Sequence, residues 1–266
     1  MNLFWREIAS LRQSTLIWTA SLAGMVILFM MMYPTFAGDA VVSTQIISNL
    51  PLAVRTALGI SLSTFFSVFG FFAYLLSFAA VAGAIQAMNL GVGALSKEDS
   101  GKTVDFLLTK PISRAKVVTA KLAAAGSMLL LTNLIFSLVG LIGAKLASTT
   151  PFSSKTFLLI SASLLLIQLI FLALGMVMSV LLPKVKSVVA VSLPTVFGFF
   201  IVGTLGSLLG NDTVKYVSPL KFFDFNYIMA HNGYEAKFLI IEAVLVLAAI
   251  AASYIIYIKK DIRAAS

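Results

Sequence analysis

Six stretches of this chain stay apolar for about twenty residues or more, and that pattern limits its fold more than any other feature. A hydrocarbon layer about 30 Å thick is crossed by roughly 20 helical residues, each adding about 1.5 Å. A soluble core has no use for such blocks, and 60% hydrophobic residues, 11% charged residues and a mean hydropathy of +1.03 exceed what a soluble chain of 266 residues carries. A membrane β-barrel would show shorter segments of alternating polarity. The expected fold is therefore all-α and polytopic, one transmembrane domain over residues 1–266 with spans near 14–36, 57–90, 117–147, 156–182, 187–209 and 237–258. The first block is long enough to span and no small-residue cleavage site follows it, so it reads as a retained helix.

The net charge of +9 could suggest nucleic acid, but the basic residues stand in short loops beside apolar blocks, where membrane topology accounts for them. Thirteen of the 19 fall on one face: Arg6, Arg12, Lys97, Lys102, Lys110, Arg114, Lys116, Lys121, Lys184, Lys186, Lys259, Lys260 and Arg263. The other face holds the remaining six, Arg55, Lys145, Lys155, Lys215, Lys221 and Lys237. Cytoplasmic loops collect the positive excess, so both termini and the loop between spans two and three are expected inside. The absence of cysteine excludes disulfides and thiol chemistry. Ahead of the first span, Leu3, Phe4, Trp5, Ile8 and Leu11 recur at helical spacing against Arg6, Glu7, Arg12 and Gln13, which fits a helix in the inner interface or a frayed amphipathic end. On the outer side, Tyr216, Phe222, Phe223, Phe225, Tyr227 and Tyr234 cluster around Pro219, which predicts an aromatic anchor in the outer leaflet.

Between the second and third blocks lies a charged island, Lys97 to Lys121, holding nine of the chain's 29 Lys, Arg, Asp and Glu residues. Its segment Ser96 to Thr103 falls one residue short of a nucleotide-binding P-loop, with Ser96 where glycine is required. Two carboxylates, Glu98 and Asp99, would face the phosphates and no strand precedes, so ATP is not expected to bind here. The spacing instead predicts a short amphipathic helix, Val104, Leu107 and Leu108 on one side and Glu98, Asp99, Lys102 and Asp105 displayed elsewhere, ended by Pro111. Ser113, Arg114 and Lys116 then stand ready to hold lipid phosphates or to pair with those acids.

The run from Glu98 to Arg114, followed by Lys121-Leu122, resembles the signature of ATP-binding-cassette exporter permeases of the second class. Weaker likenesses stand at Tyr257 to Ile262 and Ser218 to Asp224. The resemblance implies a coupling helix that docks on a separate cytoplasmic ATPase through Glu98, Asp99, Ser100, Gly101, Lys102, Asp105, Leu107, Leu108 and Arg114. It also implies ATP and magnesium in that partner and not in this chain, a second permease copy or paralogue, and spans two and five beside the path. The setting would be the inner membrane of a prokaryote. Many relatives carry Thr directly after the glycine, where this sequence has Lys102.

Small residues point to close helix packing: Ala79, Gly83, Ala87 and Gly91 recur every fourth residue, and Gly203, Gly206 and Gly210 form a looser series in the fifth span. Each face suits packing within the chain as well as a dimer or a pathway. Pro194 should kink the fifth span locally. Gln86, Asn89, Asn133 and Gln168 are neutral amides expected to bond neighbouring helices. Glu242, an acid inside the sixth block, is either a structural residue reaching for the interface or the proton or sodium site of a gradient-driven transporter, the main competing function. A lipid-modifying enzyme would need clustered acids, and Asp39, Asp212 and Asp224 are scattered.

Overall fold

A computed structural model describes residues 3–38, 44–45, 47–51, 54–55, 60, 64–100, 113–182, 185–210 and 212–259, with side chains 97–100 and 212 left aside. Its elements are α1 (Leu3–Gly38), α2 (Val68–Ser100), α3 (Arg114–Ala147), α4 (Ser154–Leu181), α5 (Val188–Leu208), the short α6 (Phe225–His231) and α7 (Ala236–Lys259). Two 3-10 turns, Asp212–Tyr216 and Pro219–Lys221, precede α6, and no strand occurs among the described residues. Six of the helices are long and apolar enough to cross a membrane, as the hydropathy pattern leads one to expect.

Two boundaries differ from the sequence expectation. The second span starts at Val68 and not near residue 57. Residues 64–67 form a turn instead, in which Ser67 Oγ donates to the Thr64 carbonyl at 2.6 Å and accepts from the Gly70 amide at 3.1 Å. A serine closing its own turn this way competes with helix, and hydropathy does not register it. The amphipathic residues Leu3 to Leu11 are the first turns of a single helix that runs on through the span, since no breaker separates them from it.

Helix ends at a membrane boundary leave amides and carbonyls that lipid cannot satisfy, and small polar residues close several of them here. Ser113, Ser153 and Ser187 are N-caps whose hydroxyls accept from the amides of Lys116, Thr156 and Ala190. Asp224 caps α6 by accepting from Asn226 N at 2.9 Å and Tyr227 N at 3.3 Å. Asn232, in the left-handed region at φ 51°, ends it. Gly210, at φ +63°, makes the comparable turn beyond α5, where a side chain would be strained. Pro194 lies inside α5, which continues through it.

α2 and α4 make up the centre, with 61% of each apolar window buried, against 17% for α5 and 11% for α7. Their mutual interface is the largest in the molecule. α1 lies chiefly on α3, α7 on α4, and α5 on α2. The small face of α2 is spent on α4. A Cβ added at Gly91 would stand 2.3 Å from the Leu172 carbonyl and 2.9 Å from the Gly175 Cα, and one at Gly83 would meet Leu164 and Gln168 at 2.7 and 2.9 Å. Ala79 and Ala87 on the same face are fully buried. In α5, Gly203 and Gly206 admit Ser218 and Val214 of the following loop. These glycines bring backbones or loops close, the use to which membrane helices put small residues.

Candidate functional site

At mid-depth five polar side chains from four helices join in one buried chain. Thr132 Oγ1 of α3 donates to the Met128 carbonyl at 3.1 Å, so its oxygen accepts from Thr19 of α1 at 2.9 Å and from Gln86 Nε2 of α2 at 3.1 Å. Gln86 Oε1 accepts from Gln168 Nε2 of α4 at 3.1 Å, and Gln168 Oε1 accepts from Asn133 Nδ2 of α3 at 2.5 Å. All five residues are buried. Three of the four amides singled out in the sequence thus bond neighbouring helices, while Asn89 leaves its Oδ1 buried without a hydrogen bond. Thr19 and Thr132 complete the chain and carried no signal of their own, since threonine is unremarkable in a membrane helix.

The start of α1, the end of α2, the start of α3 and the ends of α4 and α7 meet at one end of the bundle. A small apolar cluster of Leu95, Val118, Met176 and Val180 sits there, with Tyr254 and Tyr257 against it. Arg114 donates to the Ile258 carbonyl at 3.0 Å, Thr119 shares a 2.8 Å hydrogen bond with Tyr254, and Lys121 pairs with Glu7 at 3.2 Å. The lysine side chain of that pair is only 8% exposed, so the contact ties the first turns of α1 firmly to α3. Of the residues expected to couple, Arg114 is part of this junction. Glu98, Asp99 and Ser100 belong to the last turn of α2, with their side chains outside the described residues. Gly101, Lys102, Asp105, Leu107 and Leu108 lie outside them altogether. The helical backbone from Ser96 to Ser100 has no strand ahead of it, unlike a P-loop.

The opposite end is closed by the loop after α5, which folds back onto the helices. Phe222 and Phe223 are buried, Phe222 stacking on Phe238 at 5.5 Å and Phe223 meeting Tyr234 at 5.4 Å, while Tyr216 stays 50% exposed. The aromatic residues of this loop are thus largely packed in protein, and the chain gains a cap. Tyr234 donates to the Leu159 carbonyl at 2.6 Å, and burial raises its phenol above the usual range. Glu242, 5% exposed on α7, keeps one carboxylate oxygen without a hydrogen bond.

Under this cap, between α2 and α5, opens a cavity of about 230 Å³, and a second of about 180 Å³ adjoins it along α5. Both are lined by Ser207, Lys215 and Lys221. The sequence shows these lysines only as outer-side charges, because burial in a folded loop has no local signature. Burial lowers the Lys221 ammonium below the usual lysine range, Asp224 opposes that shift and Lys215 adds to it.

An arrangement of six long apolar helices, a hydrogen-bonded core at membrane depth, a junction of helix ends on one side and a capped cavity on the other can conduct or move a solute. It offers no constellation for bond-making chemistry among the described residues. Comparison with curated proteins returns no match. The family model described as ABC-2 family transporter protein matches residues 1–262, and with six helices of membrane-spanning length the chain belongs to that family, as a multi-pass permease component of an ABC transporter.

Proposed function

We propose that this permease is the membrane subunit of an ATP-driven exporter, that it forms the path for a hydrophobic or amphipathic solute, and that a separate cytoplasmic ABC ATPase drives it through residues 97–112. The reading is supported above all by the junction at the terminal end, where α2 and α3 flank that segment and contact α1, α4 and α7. A push on the segment there would reach five spans at once through Arg114–Ile258, Lys121–Glu7 and the Leu95 cluster. The thirteen basic residues on that side favour a cytoplasmic location for it, in the inner membrane of a prokaryote. ATP and magnesium belong to the partner. A second permease copy or paralogue completes the unit, and α5 and α7, mostly bare in a single chain, supply surface for it.

The test is the pair Glu98→Lys and Asp99→Lys, co-expressed with the ATPase. Loss of co-purification or of coupled ATP hydrolysis is expected, and full coupled activity from an intact complex would refute the coupling role. Glu242, buried with an unbonded carboxylate oxygen, favours a second reading as a gradient-driven transporter. Transport by the lone chain in vesicles under a proton gradient without ATP would establish that reading in place of the first.

A further inference from the structure

The cavity between α2 and α5 has two unlike parts. Its deeper wall is mostly apolar, with Ala73, Ala80 and Val81 of α2 facing Phe200 of α5, and the one hydroxyl among them, Ser77, donates to the Ala73 carbonyl at 3.1 Å. Gly70 and Val81 both line it, so it follows α2 for about 16 Å at 1.5 Å per residue, about half of a hydrocarbon layer. Its upper wall is polar, carrying Lys215, Lys221, Asp224 and Asn226.

Asp224 is committed to capping α6, its Oδ1 accepting two backbone amides, and Lys221 forms no ion pair among the described residues. Ser218, the residue directly before the Pro219–Lys221 turn, is anchored by donating to the Phe199 carbonyl at 2.8 Å, and it packs on Gly203. The turn that carries Lys221 is therefore held against α5, with Lys221 in the lining of the slot. A half-buried amine in no ion pair is costly unless something anionic completes it.

We infer that this slot binds an amphipathic anion, one singly or doubly charged headgroup at Lys221 and Lys215 with its aliphatic part lying between α2 and α5. This names the substrate class of the exporter and rests on the reading proposed above. An ammonium at the outer end of the path gains its strongest hydrogen bond with a phosphate, sulfate or carboxylate oxygen. The apolar stretch favours anions that carry a tail over those that do not. Lysine serves here as a point charge that accepts varied headgroups, where an arginine fork would demand one geometry.

The experiment is native mass spectrometry of the full chain in non-ionic detergent, titrated with lysophosphatidylglycerol and with lysophosphatidylcholine of the same acyl length. Neither arm needs the ATPase, so failure here leaves coupling untouched, and failure of coupling leaves binding measurable. Wild type is expected to prefer the anionic lipid. Lys221→Gln should reduce that preference about tenfold, the worth of one charge-assisted hydrogen bond. Lys221→Arg should restore most of it, which also shows that the loop still folds when the charge is present, and Lys215→Gln should weaken it less. Lys155→Gln, an exposed lysine at the start of α4, should leave it unchanged.

Alkaline titration adds an independent readout. Lys221 is faced by Lys215 and Asp224 from the loop and by no ionisable side chain of α2 or α5 lining the cavity. Its lowered affinity for the proton means that preference for the phosphodiester headgroup should fall below the pH at which ordinary lysines titrate, and Lys221→Arg should abolish that fall. Glycerol phosphate binding as tightly as the lysolipid would overturn the proposal in favour of a free-anion site. Equal loss in Lys155→Gln and Lys221→Gln would overturn it in favour of general surface charge.

Discussion

Gly91→Ala tests the central packing of the molecule with one methyl group. The added Cβ would lie 2.3 Å from the Leu172 carbonyl oxygen and 2.9 Å from the Gly175 Cα, both backbone atoms that cannot rotate away. Ordinary contact begins near 3.4 Å, so α2 and α4 must part by about 1 Å where they cross. A gap of that size forfeits roughly a quarter to a half of the dispersion energy of the contacts it opens. Overpacking of this kind costs about 1–3 kcal/mol, and the upper half of that range is expected because the clash is with backbone and lies in the largest helix interface. For a chain of this size about 2–3 kcal/mol lowers the midpoint of thermal unfolding by roughly 5–10 °C. Gly126→Ala in α3 is the control, since nothing lies within 4 Å of the position its Cβ would take. There the substitution should stabilise by about 0.4–1 kcal/mol, through helix propensity and a less flexible unfolded chain. Both variants are followed by heating the purified protein in detergent and measuring the fraction left monodisperse. Should Gly91→Ala match wild type, or rise together with Gly126→Ala, α2 and α4 do not meet backbone to backbone and the account of the core is wrong.

Gln86→Leu removes the middle of the buried chain of polar groups, leaving the Gln168 amide without its acceptor. It should cost about 1–2 kcal/mol of thermal stability, and combining it with Gln168→Leu should cost less than the sum of the two single changes. Lys121→Met strands Glu7 at 21% side-chain exposure, so a loss of roughly 1–3 kcal/mol and faster proteolysis near the start of α1 are expected. The exchange Glu7→Lys with Lys121→Glu should recover part of both. Glu242→Gln keeps the shape of a buried side chain whose oxygen lacks a hydrogen bond, so thermal stability should hold or rise, and a clear fall would reveal a charged partner for the acid. Because the chain has no cysteine, Ala80→Cys with Phe200→Cys can be bridged across the cavity by a short bifunctional thiol reagent. Bridging should stop transport while leaving the folded fraction intact, and unimpaired transport would remove the cavity from the path.

Hydropathy revealed the six spans because apolar length is a local property. The start of α2 escaped it, since Leu58, Ile60, Leu62, Phe65 and Phe66 keep the stretch before Ser67 apolar enough to extend the block, and the turn at 64–67 rests on hydrogen bonds of Ser67 that hydropathy does not register. The four-residue spacing from Ala79 to Gly91 announced a close contact but not its partner. That required Gly175, a lone glycine of α4 whose would-be Cβ stands 2.8 Å from the Met88 carbonyl, and so a fact about two helices at once. The same limit applies to function. Gln86 and Gln168 could be picked out singly as costly polar groups, whereas the role of Thr132 as their acceptor depends on which way its own proton points. Lys221 read as one outer charge among six, and its place in the lining of the slot exists only once the loop after α5 has folded back.

These contacts also divide the molecule mechanically. α2 and α4 are joined by backbone contact at Gly91 and Gly175, and the polar chain from Thr19 to Asn133 ties α1 and α3 to them, so four helices form one block. Packed elements of this kind move as units and do not deform continuously. α5 is attached to that block mainly along α2 and through the loop that follows it, and the cavity opens at this seam. On the proposed reading, work delivered at the junction of Arg114, Lys121 and the Leu95 cluster would shift the block as a whole. Its motion relative to α5 would be concentrated where the fewest contacts resist, so the slot under Lys221 is the place where a push at one face of the membrane becomes a change of volume at the other.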